Sequence, residues 1–458
     1  MTARPVIGYE GPVTSLVGAG PFAGKSIADL AAGLRAGQFT ATGLTESALV
    51  AADEHGPTLN CFVTVDHDGA LRAARKANRE LAAGIDRGPL HGIPVGVKDL
   101  IDTAGLLTTR GSRHFADHVP TRDADVVVTL RQAGAVILAK THTHEFAYGP
   151  TGDVAHVGPA RNPHDTDRIT GGSSSGSGAA VAAGLLPAAL GTDTGGSVRI
   201  PAALCGITGL RPTQGAISTS GVFPLSGTLD TVGPMAASVA DTALLWSALT
   251  ERPAVPTPVT GLRVGVVRAE ETDQIIAEQA QALDRSIAAM KSAGFAVGDV
   301  AVPNLPDYAR VYLHIQGPEA FAVHASRFAE SPELFQQQVR DRLAGAAEVR
   351  AWEYVAAQED RARMRAEFLD RAGVEVLIMP TVPIEAPKIG AHDTDLGAGW
   401  TSPSAAVLAF TMVWSVLGLP SMSVPVFGDG LPGSVQLVGK PGGEDQLFAV
   451  AAELSARL

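Results

Sequence analysis

The chain predicts an α/β fold, on three observations. Strand-like and helix-like segments alternate along its length. Its most apolar short segments, such as VLIMPTVP at 376–383 and LPSMSVPV at 419–426, read as buried strands. The composition, 458 residues with 45% hydrophobic and 18% charged side chains, supplies material for a large core.

Residues 26–54 read as two helices joined at Gly37–Thr40, with Thr40 or Thr42 capping the second. A basic amphipathic helix follows at 67–84, then a strand and turn at 90–100 (LHGIPVGVKDL). DADVVVTLRQAGAVILAK at 123–140 reads as a helix ended by Gly134 and then a strand. A helix at 178–186 and a strand at 188–192 come next. LRVGVV predicts a strand and 277–293 a long helix; 305–372 is mostly helical, and 442–458 closes the chain as a helix. These elements describe one body over 1–458, with a Gly/Ser-rich core at 171–197. A mainly helical excursion spans 251–372, opened by a Pro-rich linker at 251–260.

A net charge of −12 disfavours a nucleic-acid backbone as main partner, because phosphate binding needs a basic surface. Two cysteines, Cys61 and Cys205, fit a reduced cytoplasm better than a disulfide framework. The N-terminus has no apolar signal region, and no apolar run is long enough for a membrane span.

The chemistry concentrates in GGSSSGSGAAVAAGLLPAALGTDTGGS at 171–197. Glycine allows unusual backbone angles and close approach, and a neighbouring serine becomes a nucleophile once a base takes its proton. A flexible linker is a poor reading, because dense apolar sequence surrounds the glycines. Gly172–Gly176 matches G-x-S-x-G literally, but RNPHDTDRIT before it is not a convincing strand. AGPFAGKS at 19–26 only approximates a phosphate loop, and Ser26 reads better as a helix cap. His142-Thr143-His144-Glu145 suggests a metal, but no third ligand cluster accompanies it; neither a metal nor a cofactor is implied. Lys98 ends the apolar GIPVGVK strand and is either an ion-pair partner of Asp99 or a buried base. Neutrality near pH 7 means lowering a lysine from about 10.4, a cost of roughly 4 kcal/mol that burial supplies.

GIPVGVKDL, GGSSSGSGAAVAAG, GTDTGGSVRIPAALCGITGLRPT and LDTVGPMAASVADTA, in this order, resemble the amidase signature family of serine hydrolases. The resemblance spans essentially the whole chain and implies a large mixed β-sheet flanked by helices on both faces. It implies a Ser–cis-Ser–Lys triad, with Ser197 as nucleophile, Ser173 after a cis bond as proton relay and Lys98 as base. The N–H groups of Thr194, Gly195, Gly196 and Ser197 would form the oxyanion hole, with Ser174 supporting the network. Asp193 and Arg199 pair, either as a brace for the nucleophile loop or as a solvated ion pair. The backbone at Tyr148 would face the leaving group.

Three departures separate the chain from the tRNA amidotransferase A subunits of that family. VYLHIQGPEAFAVHASRF replaces a SNLARFDG-type segment, Ser415 replaces an Asn, and Val154 and His156 stand where polar and small residues are typical. They favour a stand-alone hydrolase of small amides, anilides, carbamates or esters over an A-type subunit delivering ammonia to a partner. The Val, Phe and Trp content of 305–335 and 396–416 suggests an apolar substrate. The expected partner set is then a small-molecule amide or carbamate, no nucleic acid and no membrane; a homodimer stays open.

Overall fold

In the computed structural model, which describes residues 15–252, 261–268, 270–302, 305–371, 373–391 and 394–458, the chain opens with two capped helices. Ser26 accepts from the Asp29 N–H and starts α1 (Ile27–Arg35). Thr40 accepts from the Gly43 N–H and starts α2 (Ala41–Leu59). Each cap satisfies an N–H that no helical turn can reach and contributes about 1 kcal/mol. Next come β1 (Phe62–Val65), α3 (His67–Ala82), β2 (Pro94–Lys98), α4 (Asp125–Gln132) and β3 (Val136–Thr141). The Gly/Ser-rich stretch supplies α5 (Ser175–Ala182) and β4 (Ala188–Asp193) and leads into α6 (Arg199–Cys205). β5 (Thr208–Arg211), β6 (Thr231–Ala236) and α7 (Val239–Thr250) follow.

After the segment expected to be a linker, of which 253–260 lie outside the described residues, come β7 (Arg263–Arg268), α8 (Ala277–Ser292) and β8 (Ala296–Ala301). α9 (Leu305–Glu330), α10 (Gln337–Ala347) and α11 (Ala351–Arg371) form a helical layer. The chain then runs through β9 (Val376–Pro380), α12 (Pro403–Leu408), α13 (Met412–Val416), β10 (Ser421–Val426), β11 (Gly433–Gly439) and α14 (Glu444–Ser455).

Among the described residues the strands join into one mixed sheet of 11, in the order β1-β3-β2-β4-β6-β5-β10-β11-β9-β7-β8. β2 runs parallel to both β3 and β4, whereas β4 and β6 are antiparallel. Successive strand residues face opposite sides of a sheet. In β9, Val376 and Ile378 join one apolar cluster with Leu283 of α8 and Phe448 of α14. Leu377 and Met379 join another, with Ile315 of α9 and Trp414 of α13. Both faces are therefore covered by helices, as expected. Among the described residues, no helix is long and apolar enough to cross a membrane.

Candidate active site

Parallel strands β2 and β4 end side by side, the place where open α/β sheets offer a crevice to ligands. β2 ends on Lys98 and β4 on Thr192 and Asp193. Lys98 is fully buried and donates to Ser173 Oγ at 2.7 Å and to Thr192 Oγ1 at 2.8 Å. Asp99 is not its partner; the Asp99 carboxylate accepts from the Thr109 hydroxyl at 2.6 Å and from its N–H at 3.0 Å. Burial pushes the Lys98 ammonium down to about 7, against the charges of Asp193 and Asp230, which act upward.

The two serine loops are stitched together. The Gly172–Ser173 peptide bond is cis. The Ser174 N–H donates to the Ser197 carbonyl at 3.1 Å, and Ser174 Oγ donates to the Thr192 carbonyl and accepts from the Thr192 N–H, both at 3.2 Å. Asp193 pairs with Arg199 through two bonds of 3.0 Å and with Arg211 at 3.1 Å, and accepts from the Val198 N–H at 3.2 Å. All three charged residues are completely buried, so the solvated ion pair is not what forms. Burial alone would raise the Asp193 carboxyl, but the two guanidiniums outweigh it and hold it well below the usual range. Arg199 also donates to the Thr411 carbonyl at 2.9 Å and to Ser415 Oγ at 2.9 Å.

Residues 194–197 turn sharply between β4 and α6. Gly196 has φ +148°, and a Cβ there would sit 2.2 Å from Thr411 Oγ1. A Cβ at Gly195 would sit 2.5 Å from Tyr312 Oη. Thr194 Oγ1 donates to Asp230 Oδ1 at 2.5 Å, while Asp230 Oδ2 accepts from the Leu225 and Ser226 N–H groups at 2.9 and 3.0 Å. The N–H groups of Gly195, Gly196 and Ser197 are not taken up by acceptors among the described residues.

A cavity of about 810 Å³ opens onto Ser197, with Tyr148, Leu305, Tyr312, Arg342 and Met412 in its walls. Ser197 is 6% exposed, whereas Lys98 and Ser173 have no exposure. Arg342, on α10, donates to the Tyr148 carbonyl and to Ser404 Oγ and has no carboxylate partner among the described residues. The arrangement offers a hydroxyl in a cavity wall, a second hydroxyl in a loop bonded to the same turn and a lysine near neutrality bonded to the second. Such a set suits nucleophilic attack on a carbonyl.

The amidase family model matches residues 43–448. The chain belongs to the amidase family. It is thus an enzyme of a family that acts on carbon–nitrogen bonds. A crystal structure of an amidase superposes with a TM-score of 0.89 at 34% identity, covering 94% of this chain and 100% of its own. A protein of Thioalkalivibrio sulfidiphilus, named as the A subunit of glutamyl-tRNA(Gln) amidotransferase, is 37% identical over 472 residues, 93% of this chain and 96% of that protein. One of the same name from Aromatoleum aromaticum is 38% identical over 480 residues, with the same coverages.

These relatives correct the expectation that sets the chain apart from amidotransferase A subunits and makes it a stand-alone hydrolase of small amides. The expected partner set falls with it, because those relatives are named as subunits of an enzyme of glutamyl-tRNA. The three departures are local. VYLHIQGPEAFAVHASRF lies within α9 and Ser415 within α13, and Ser415 accepts from Arg199. Net charge bounds only this chain's own surface and not what an assembly containing it touches.

His142 and His144 are engaged elsewhere. The His142 ring bonds Ser175 Oγ and the Gly158 carbonyl, both at 2.8 Å, and His144 Nδ1 accepts from the Gly152 N–H. Among the described residues no three His, Cys, Asp or Glu side chains form a metal-sized group. Sequence reasoning does not single out Thr192, Asp230, Arg211 or Arg342. Thr192 and Asp230 lie inside the quoted GTDTGGS and LDTVGP segments, so a signal is present; Arg342 sits in a charged helix that reads as solvated.

Proposed function

We propose that this chain is an A-type amidotransferase subunit that hydrolyses the side-chain amide of glutamine at Ser197 and releases ammonia for a partner. What carries the chemistry is the buried Lys98–Ser173 hydrogen bond, in a loop that Ser174 ties to the cavity-lining Ser197. Relatives 35–38% identical over most of the chain support the amidotransferase role. Arg342, a cation in the cavity wall without a carboxylate partner among the described residues, suits the α-carboxylate of the amino acid.

Lys98 takes the Ser173 proton while Ser173 takes that of Ser197, and Ser197 Oγ attacks the amide carbon. The oxyanion lies against the N–H groups of Thr194, Gly195, Gly196 and Ser197. Ser174 ties the relay loop to the nucleophile loop, and the Asp193–Arg199 pair braces the latter. The Tyr148 backbone faces the departing nitrogen, which leaves as ammonia after the relay returns a proton. Water then cleaves the acyl-enzyme to glutamate. Esters and carbamates share this acyl chemistry, and we extend the proposal to them as side activities. The two free, buried cysteines suit a reducing cytoplasm.

The test is glutamate formation from glutamine by the purified chain, alone and with its partner chains, against Ser197→Ala. The expected result is turnover lost in Ser197→Ala and, in Arg342→Met, a raised KM for glutamine. Turnover of apolar amides with none of glutamine under either condition would overturn the proposal.

A further inference from the structure

A carboxylate that the acyl chemistry does not use links the helical layer to the turn beside the nucleophile loop. Glu319, on α9, accepts five hydrogen bonds. On one side Oε2 accepts from Ser226 Oγ at 2.6 Å and from the Thr228 N–H at 3.1 Å, and Oε1 accepts from Thr228 Oγ1 at 2.8 Å. On the other side Oε1 accepts from Tyr354 Oη at 3.0 Å and Gln358 Nε2 at 3.5 Å, both on α11. Arg361 of α11 reaches the same turn, donating to the Thr228 carbonyl at 3.1 Å. The turn 225–230 therefore hangs from the helical layer. Its other end is Asp230, whose carboxylate accepts the Leu225 and Ser226 N–H groups and the Thr194 hydroxyl. Thr194 begins the sharp turn that carries Ser197.

Arg211 holds the Leu229 carbonyl and Gln214 the Asp230 carbonyl, both at 2.9 Å, so Glu319 is what fixes the 226–228 side of the turn. Oxyanion donors are effective only within about 2.7–3.1 Å of the developing charge. We infer that Glu319 is a positioning residue for the oxyanion turn, acting through 225–230 and Asp230 on Thr194. The inference rests on the acyl-enzyme chemistry proposed at Ser197. It gives the helical layer a second task beside walling the cavity: anchoring the turn behind the nucleophile.

The experiment uses the full chain and two readouts, glutamine kinetics and the rate at which a fluorophosphonate labels Ser197. Glu319→Gln keeps the shape but places an amide nitrogen against donors. It is expected to lower kcat and the labelling rate together by about tenfold, with KM unchanged within about twofold. Asp230→Asn is expected to lower both likewise and also to shift the acid limb of the pH profile to lower pH, because it removes a negative charge that favours protonated Lys98. Arg211 faces Asp230 from β5 and keeps its charge in both variants. Glu319→Gln is expected to leave the acid limb in place. Should Glu319→Gln fail to fold, Tyr354→Phe and Thr228→Ala each remove one bond to Glu319, and each is expected to slow labelling by about twofold or more. Labelling at the wild-type rate in these variants overturns the inference, as does a change confined to KM. If wild-type Ser197 takes no label, the acyl-enzyme proposal itself falls; if wild type labels and the variants match it, only the role of Glu319 does.

Discussion

Two buried lysines stand at neighbouring positions of the sheet and have different surroundings. Lys98 closes β2 and Lys140 lies next to last in β3; in the register between them Val97 pairs with Lys140 and Lys98 with Thr141. Both are completely buried, and burial pushes both down, Lys98 to about 7 and Lys140 to about 8. Lys140 donates to the Ile101 carbonyl and to Thr103 Oγ1 at 3.2 Å, and the Asp99 charge favours its protonated form. Thr103 itself donates back to the Ile101 carbonyl, so these contacts close on themselves. Lys98 instead donates to Ser173, whose loop bonds the Ser197 carbonyl through Ser174. A depressed lysine is therefore not enough to mark a base. What separates the two is whether the next atom can give up a proton toward a cavity.

The largest effect expected from this difference is in Lys98→Ala, which should lower kcat by about 10²–10⁴-fold with the protein still folded. Turnover above a tenth of wild type would break the comparison. Ser173→Ala should match it, and the Lys98→Ala/Ser173→Ala double variant should lose little more, since groups acting as one unit are not additive. A double loss equal to the product of the single losses would separate the two residues.

The pH profile sharpens the contrast. Lys98 must be neutral to accept a proton, so kcat/KM should fall as pH drops through about 7. Lys140→Met should leave that limb where it is and keep kcat within about tenfold, because the Thr103 hydroxyl still donates to the Ile101 carbonyl when the ammonium is gone. A limb that moved in Lys140→Met would exchange the two roles.

The smallest effect is on stability. Below pH 7 Lys98 is charged in both folded and unfolded chains, and the folded state carries the whole cost of burying it. Between about 7 and 10.5 the unfolded chain holds a proton that the folded one has released, so stability rises with pH. Lys98→Met should therefore raise Tm most near pH 6, with the gain shrinking toward pH 10. A gain independent of pH would show that Lys98 is not desolvated.

Much of the site is legible in the sequence. Lys98, Ser173 and Ser197 lie in short segments that stand out by residue type and order, and the fold bonds Lys98 to Ser173 and places Ser197 at the cavity. The helices at 27–35 and 41–59 are legible because their caps and apolar spacing are local signals. β5 and β6 are not: TGLR and TVGPMA contain Gly and Pro, and they are strands because β4 and β10 offer them hydrogen-bonding edges. Glu319 and Arg342 look like solvated charges on charged helices, and only the packing of α9, α10 and α11 turns them inward. The likeness to amidotransferase A subunits is easily misjudged, because three local departures stand out against a chain that otherwise agrees.

By itself the sequence determined the inventory: a lysine at a strand end, two serines in glycine-rich turns and enough apolar alternation for an α/β body. Those properties belong to neighbouring residues and need no distant partner. The tertiary structure alone decided which buried lysine meets a serine, how far its proton affinity falls and which charges pair with Asp193 beside the 194–197 turn. Each of these depends on water being excluded and on atoms from separate strands arriving within about 3 Å, which no local stretch of sequence controls.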